Sequence, residues 1–538
     1  MDTVEKIAVY DDRLCEPSNV YLIKKASGSL AYNSVSAESE SSTGASFTLD
    51  IPEDHFIGRN IKIKTNVKFT FAGLAGDGSD LVNLGATDAP RFSPLNNCLW
   101  DTVQVTFGNN SISLKNSEIF EPLCRMTMSH ENKNFTHENS GTPMFQDCAQ
   151  DYESVIGSGR NPLGGLSDTA GPFGIIPRGA FHSLKVVSVS STAAVVTAEF
   201  IENVFIPGLS FSRSDAQALI GLKRLQIKLS YSSGDALKRM FSRNVVNSRA
   251  LTSLDVKIGL DAGLAKSECV FETIGKPIYY KYDMSIPRRY PYATISNFQF
   301  DMGTLASGAT TTKKTTALSV DIIPSKIWLL LRDTIRIYDK CDCYASISNV
   351  GLTFGGTTTS LSNASQFQLY EISARNGVNM QYGDWSKNIG SIVCLVPGVD
   401  FELPRPNEQS AGVASKMPLQ FSITYTNTGL YSRDYSAIVI MEDSGILEIA
   451  NGKVSVDTAI ITNRDVSEIV ARQDATAPDQ RKDIFAGNFL EDLGDILKNG
   501  YKTGEAIYKV AKEGAPLIGL GKTGGALMTK NELMNRFK

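Results

Sequence analysis

From Ala45 onward, apolar and polar side chains alternate along the chain. Ala45 to Ile51 reads A-S-F-T-L-D-I and Ile61 to Phe71 reads I-K-I-K-T-N-V-K-F-T-F. Each run has one apolar and one polar face, the pattern of a half-buried strand. Similar runs predict strands at Val103–Phe107, Leu184–Ser190, Val195–Ile206 and Leu225–Tyr231. They continue at Leu254–Leu260, Val270–Ile274, Thr294–Phe300, Ala317–Ile322, Ile327–Arg332, Ser346–Phe354, Ile392–Val396, Leu419–Thr426 and Ala437–Met441, with one or two more over 446–463. A helical period shows only in short stretches: Glu118–Met128 (Ile119, Leu123, Met126), Ser214–Ile220 and Gln366–Arg375 (Phe367, Tyr370, Ile372). Many short strands with long loops indicate antiparallel sandwiches. A parallel α/β sheet would need a helix of about 10–15 residues alternating with each strand, and the chain shows no such alternation.

One stretch occurs twice. V-Q-V-T-F-G-N-N-S-I-S-L-K-N-S-E-I-F, Val103 to Phe120, returns without a gap as V-G-L-T-F-G-G-T-T-T-S-L-S-N-A-S-Q-F, Val350 to Phe367. Val103/Val350, Thr106/Thr353, Phe107/Phe354, Gly108/Gly355, Ser113/Ser360, Leu114/Leu361, Asn116/Asn363 and Phe120/Phe367 are identical. Strand, polar turn, short strand and helix start recur in one order, which indicates duplication. A chain of 538 residues also exceeds a single core, since cores stop growing near roughly 250–300 residues. We expect an N-terminal arm at 1–44, where Ser34 to Gly44 is polar and unpatterned, a first sandwich at 45–240, a second at 241–464 and a tail at 465–538.

The tail has its own pattern. After a polar linker at Ala475–Asp483, Phe489, Leu493, Ile496, Leu497, Tyr501, Ile507, Tyr508 and Ala511 fall on one face at helical spacing. This predicts the one long amphipathic helix of the chain. Gly494, Gly500 and Gly504 within it each cost roughly 1 kcal/mol relative to Ala, so the helix should form by docking. Between Ile496 and Lys538 stand eight Lys/Arg and three Asp/Glu, a locally basic end.

Composition removes several function classes. Lys+Arg is 53 and Asp+Glu 57, a net charge of -4, without the basic surface nucleic-acid binding demands. Sequence-specific nucleic-acid binding is therefore not expected. No apolar run is long enough to span a bilayer as a helix. Met1 to Lys6 lacks a basic region leading into an apolar run, so secretion is not expected. The sequons at Asn109, Asn134 and Asn363 then carry no weight. The eight cysteines (Cys15, Cys98, Cys124, Cys148, Cys269, Cys341, Cys343 and Cys394) read as reduced, buried thiols. Cys341 and Cys343 share one strand face, poorly placed for a mutual disulfide, and no second pair completes a zinc site.

Candidate chemistry is sparse. Gly519-Leu520-Gly521-Lys522-Thr523 ends like a phosphate-binding loop, but Pro516 stands where its first Gly belongs and too little chain follows. His130-Glu131 and His137-Glu138 form no H-E-x-x-H, and His55 and His182 stand apart. There is no G-x-S-x-G. Arg288-Arg289-Tyr290-Pro291-Tyr292 mixes cations with aromatics, as a single-strand nucleic-acid site does, but reads better as a surface turn or subunit contact. The sequence predicts no catalytic, cofactor-binding or metal residue. Residues 132–180, rich in Asn, Gly, Ser and Pro, form a loop of the length usually kept for function.

Particular segments carry a resemblance. Ile347 to Phe354, Leu361 to Ser365, Leu369-Tyr370, Asn376-Gly377, Gly390 to Leu395 and Gly398-Val399-Asp400, within two consecutive sandwiches, are similar to the double jelly-roll major capsid proteins of eukaryotic double-stranded DNA viruses. The polinton-like virus, adintovirus and virophage group resembles the chain most, with adenovirus hexon more distant. The resemblance spans about residues 45–460 and implies two eight-stranded antiparallel jelly rolls. It implies no enzyme activity and a homotrimeric, pseudo-hexagonal capsomer tiling an icosahedral virion shell. Neighbouring capsomers, penton proteins, minor or cement proteins and an internal membrane would be the partners. The tail helix, through Phe489, Leu493, Ile496, Leu497, Tyr501, Ile507 and Tyr508, would serve assembly. Leu517 to Gly521 resembles a cleavage site of adenovirus-type proteases, in a segment suited to proteolysis. The alternatives are a two-domain carbohydrate-binding adhesin or fibre, which three Trp in 538 residues disfavour, and a glycan hydrolase, which needs paired carboxylates on one concave face.

Overall fold

The computed structural model describes residues 29–72, 98–127, 181–189, 193–206, 218–234, 245–246, 249–250, 253–276, 286–334, 344–405, 409–429, 431–458 and 461–468. All but Glu468 belong to a compact unit that ends at Ser467. The helix expected over Phe489 to Tyr508, the Gly-rich segment at Gly519, the loop expected at 132–180 and Cys341/Cys343 lie outside the described residues.

The first sandwich pairs two antiparallel sheets. One runs β1 (Leu30–Ser36), β13 (Glu268–Gly275), β4 (His55–Ala72), β8 (Ala193–Asn203), β7 (Phe181–Val189), with β12 (Ser253–Ile258) on the far half of β4. The other runs β2 (Ser39–Ser41), β3 (Gly44–Asp50), β9 (Arg224–Tyr231), β5 (Trp100–Phe107), β6 (Asn110–Leu114). A two-residue ribbon, β10 (Val245–Val246) with β11 (Arg249–Ala250), stands apart. In the second sandwich one sheet runs β14 (Arg288–Leu305), β22 (Arg433–Ala450), β17 (Lys326–Asp333), β20 (Ile392–Leu395), with β23 (Lys453–Thr458) on β22. Its facing sheet joins β15 (Thr310–Lys314) and β16 (Leu318–Ile322) to β21 (Ala414–Thr426), then β18 (Ser346–Phe354) and β19 (Thr357–Thr358).

The two strand orders correspond. β1-β13-β4-β8 matches β14-β22-β17-β20, and β3-β9-β5-β6 matches β15-β21-β18-β19. First strand beside last, last beside third, in two facing sheets, is the double Greek key of a jelly roll. The sequence repeat falls on equivalent elements, β5–β6 and helix α1 (Asn116–Thr127) in one roll, β18–β19 and helix α2 (Gln366–Arg375) in the other. Gly108 and Gly355, identical in the repeat, both take φ 58° at the hairpin turn, a conformation that favours glycine.

Two boundaries differ from expectation. The polar pattern places Leu30–Ser36 in the arm, yet it pairs along its whole length with β13. The boundary expected at 240 puts Leu254–Leu260 and Val270–Ile274 in the second sandwich, yet β12 and β13 both pair with β4. The first roll therefore runs from Leu30 to Gly275, because a Greek key brings its last strand back between its first and third. The Arg288–Tyr292 segment is also no turn. It opens β14, and Tyr290 and Tyr292 are buried.

Burial explains the strand patterns. β3 and β9 alternate between core and surface. β17, K-I-W-L-L-L-R-D, is buried almost throughout, and β20 entirely, because α2 covers β20 from outside. Strands covered on both faces lose the alternation.

Candidate functional site

The two rolls share side chains across their joint. The first core takes in Tyr290 and Tyr292 of β14, Leu447 and Ile449 of β22 and Val454 of β23. The second core takes in Leu114 after the β5–β6 turn, Ile119, Phe120 and Leu123 of α1, and Phe205. The 18-residue strands β14 and β22 thus serve both rolls. Phe120 meets Phe205 edge-on, with centroids 6.2 Å apart.

Polar contacts fix the same joint. The Tyr344 hydroxyl donates to Glu121 Oε1 at 2.9 Å, both groups buried. Asn297 of β14 donates through Nδ2 to Glu118 of α1, which also receives Lys115 at 3.0 Å. The Tyr290 hydroxyl donates to the Ala218 carbonyl at 3.0 Å and accepts from the Ile220 amide at 2.8 Å. The Arg59 guanidinium lies 5.2 Å from the centre of the Tyr290 ring. At the other edge two hairpin turns meet: Asn110 Nδ2 donates to the Val454 carbonyl, and the Val454 amide donates to Asn109 Oδ1 at 3.4 Å. Such contacts, one buried and the others partly buried, hold the two rolls together.

The same region of the second roll faces outward. α2 begins with a capping box in which Ser365 and Gln368 exchange hydrogen bonds. It buries Leu369 and Ser373 and leaves Phe367 exposed. Phe367 and Tyr370 both meet Tyr382, at 5.2 and 5.3 Å between centroids, and Tyr370 meets buried Trp385 at 5.8 Å.

Reactive groups are muted. Cys98, Cys269 and Cys394 are buried and form no disulfide. Burial pushes the Cys269 and Cys394 thiols up to about 12, which suppresses the nucleophilic thiolate. Asp443 on β22 is pushed up to about 6, first by burial and then by the neighbouring Glu442. Among the described residues no His/Cys/Asp/Glu group gathers to hold a metal, and no helix is long and apolar enough to cross a membrane.

Of the predicted assembly residues, Phe489, Leu493, Ile496, Leu497, Tyr501, Ile507 and Tyr508 lie outside the described residues. The joint residues Glu118, Glu121, Asn297 and Tyr344 were not singled out from sequence. A hint was present: Glu118 and Glu121 stand among Ile119, Phe120 and Leu123 on a short helix, and carboxylates so placed call for partners.

Comparison with known proteins agrees with this architecture. The family described as Sputnik virophage major capsid protein 1st domain matches residues 2–270. The one described as Major capsid protein V20 C-terminal domain matches residues 292–389. The putative capsid protein V20 of Sputnik virophage is 25% identical over 528 residues, covering 91% of this chain and 86% of that protein. The cryo-EM structure of the Sputnik virophage superposes with a TM-score of 0.72 at 22% identity, over 86% of this chain and 95% of the other. The mavirus major capsid protein gives 0.61 at 12% identity, over 87% and 97%. With two jelly rolls in one unit and a family match across the first, the chain belongs to the Sputnik-type virophage major capsid proteins.

Proposed function

We propose that three copies of this chain form a capsomer in which six jelly rolls give a pseudo-hexagonal outline, and that such capsomers tile an icosahedral shell around the genome. Membership of the capsid family makes the chain a structural component of the virion capsid. The observation that carries the trimer is two rolls of one strand order locked by shared cores. A rigid pair of like units builds a six-sided outline from three chains, and closed cyclic symmetry is the common solution for such assemblies. Light scattering of the purified chain should give three times the subunit mass of 58.4 kDa, with six-sided views in negative stain. A single-subunit mass at all concentrations would overturn the reading.

Contacts beyond the trimer are with neighbouring capsomers, penton proteins, minor or cement proteins and an internal membrane. The tail helix supplies one of them on the inner face, through Phe489, Leu493, Ile496, Leu497, Tyr501, Ile507 and Tyr508. Its apolar stripe and basic end support this role. Deleting 484–538 should leave trimers intact and impair shell assembly; normal shells would remove the idea. Maturation cleavage near Leu520 is tested by intact mass of protein from particles, and retention of Lys538 rejects it.

A further inference from the structure

We propose that the aromatic face of α2, Phe367 with Tyr370 and Tyr382, joins one subunit to the next by seating on the outward face of β1 of a second copy, at Leu30 and Tyr32. The inference rests on the trimer reading above and names its contact surface.

The duplication supplies the argument. Phe120 and Phe367 occupy one position of the repeat. Phe120 is 0% exposed and Phe367 49%. The difference lies in what covers them. Helix α1 lies against the second roll of its own chain, where Glu118 takes the hydrogen bond from Asn297 and Phe120 enters the second core. Asn297 sits on β14, the first strand of that roll, on the face opposite Phe298 and Phe300. Ile295, on the same face as Asn297, packs against the same cluster.

β1 is the corresponding strand of the first roll, and nothing in the described chain covers its outward face. Val35 packs on the core. Leu30 and Tyr32, on the opposite face, are 51% and 72% exposed. Within a chain, the helix of roll one covers the first strand of roll two. The helix of roll two has an exposed face, and so does the first strand of roll one. A second copy satisfies both with one contact, and repetition of that head-to-tail contact builds a ring.

The patch is built for binding. Large aromatics grouped on a surface are the usual anchors of interfaces, unlike scattered apolar residues. The Tyr370 hydroxyl donates to the Met380 carbonyl at 2.8 Å, and Trp385 Nε1 to the Ile392 carbonyl at 2.7 Å. The rings are held before any partner arrives, which lowers the ordering cost of association.

The test uses the full chain. Phe367→Asp and Tyr32→Asp are made separately and sized by light scattering beside the unaltered protein. Each variant should fall from three subunit masses to one while keeping its near-UV circular dichroism. In a third protein the photoreactive p-benzoylphenylalanine replaces Phe367, and crosslinked peptides are mapped by mass spectrometry. Crosslinks to residues 29–36 of another copy are expected. Trimers from both Asp variants, or crosslinks to any other surface, would overturn this contact while leaving the trimer standing. An unaltered chain that stays at one subunit mass would instead overturn the trimer, and this contact with it.

Discussion

Replacing Phe120 by Ala measures how firmly the rolls are joined. The ring is fully buried, meets Phe205 at 6.2 Å with planes 72° apart, and belongs to the core of the opposite roll. Truncating a buried Phe to Ala costs about 3–5 kcal/mol through lost transfer energy and the cavity left behind. Phe354→Ala is the control. Phe354 is buried and edge-on to Phe401 at 6.4 Å, within one roll. Both variants are compared by chemical denaturation at one fixed protein concentration, since assembly adds to apparent stability. Hydrogen exchange read at β9 and β21 then reports each roll separately. Both truncations should cost about the same, but only Phe120→Ala should let the two rolls exchange independently. A loss below about 1 kcal/mol for Phe120→Ala, with the full loss for Phe354→Ala, would refute the wedged placement of α1.

Three further outcomes are expected. The Cys269 and Cys394 thiols, pushed up to about 12 by burial, should resist alkylation at pH 8 in the folded chain and react fully once it is unfolded. Their folded values exceed the ordinary 9.0, so their contribution to stability is complete below pH 9.0 and is lost as pH climbs toward 12. Asp443, raised from 3.8 to about 6, favours the fold below pH 3.8 and loses that contribution as pH rises through 6. Asp443→Asn should therefore stabilise the chain at pH 7.5, by about 1 kcal/mol after discounting for partial exposure, and change little at pH 4; equal effects at both, read by thermal unfolding, would contradict the assignment. Gly390 sits at φ 99°, and a Cβ there would fall 2.1 Å from the Tyr344 carbonyl oxygen. Gly390→Ala should cost about 2–4 kcal/mol in denaturant unfolding.

Half-buried strands such as β3, β5 and β9 were legible in the sequence because solvent and core write opposite demands on alternate residues. The duplicated hairpin was legible because Gly108 and Gly355 meet the same backbone requirement. β1 was not legible. It is an edge strand, L-A-Y-N-S-V-S, exposed or half-exposed throughout, so its two faces barely differ. Nor could pattern place β13 beside β1, since the partner of a strand is not encoded within it. Arg288 to Tyr292 reads as a surface turn or subunit contact, yet it opens the edge strand β14, where the missing amide of Pro291 is tolerated. The roles of Glu118 and Glu121 required knowing that Asn297 and Tyr344 arrive from far along the chain.

The entry of β14, β22 and β23 into the first core also bears on synthesis. When β13 leaves the ribosome the first roll has all its own strands, yet Leu447, Ile449 and Val454 of its core have not been made. At roughly 5–20 residues per second, the intervening stretch of about 180 residues takes on the order of 10–35 s to translate. Through that interval the N-terminal half presents an unfilled apolar flank, a site for chaperone holding and for mispairing between nascent chains. β22 and β23, the last of the described strands, complete both halves, so a product truncated before them would leave even its N-terminal roll unfinished.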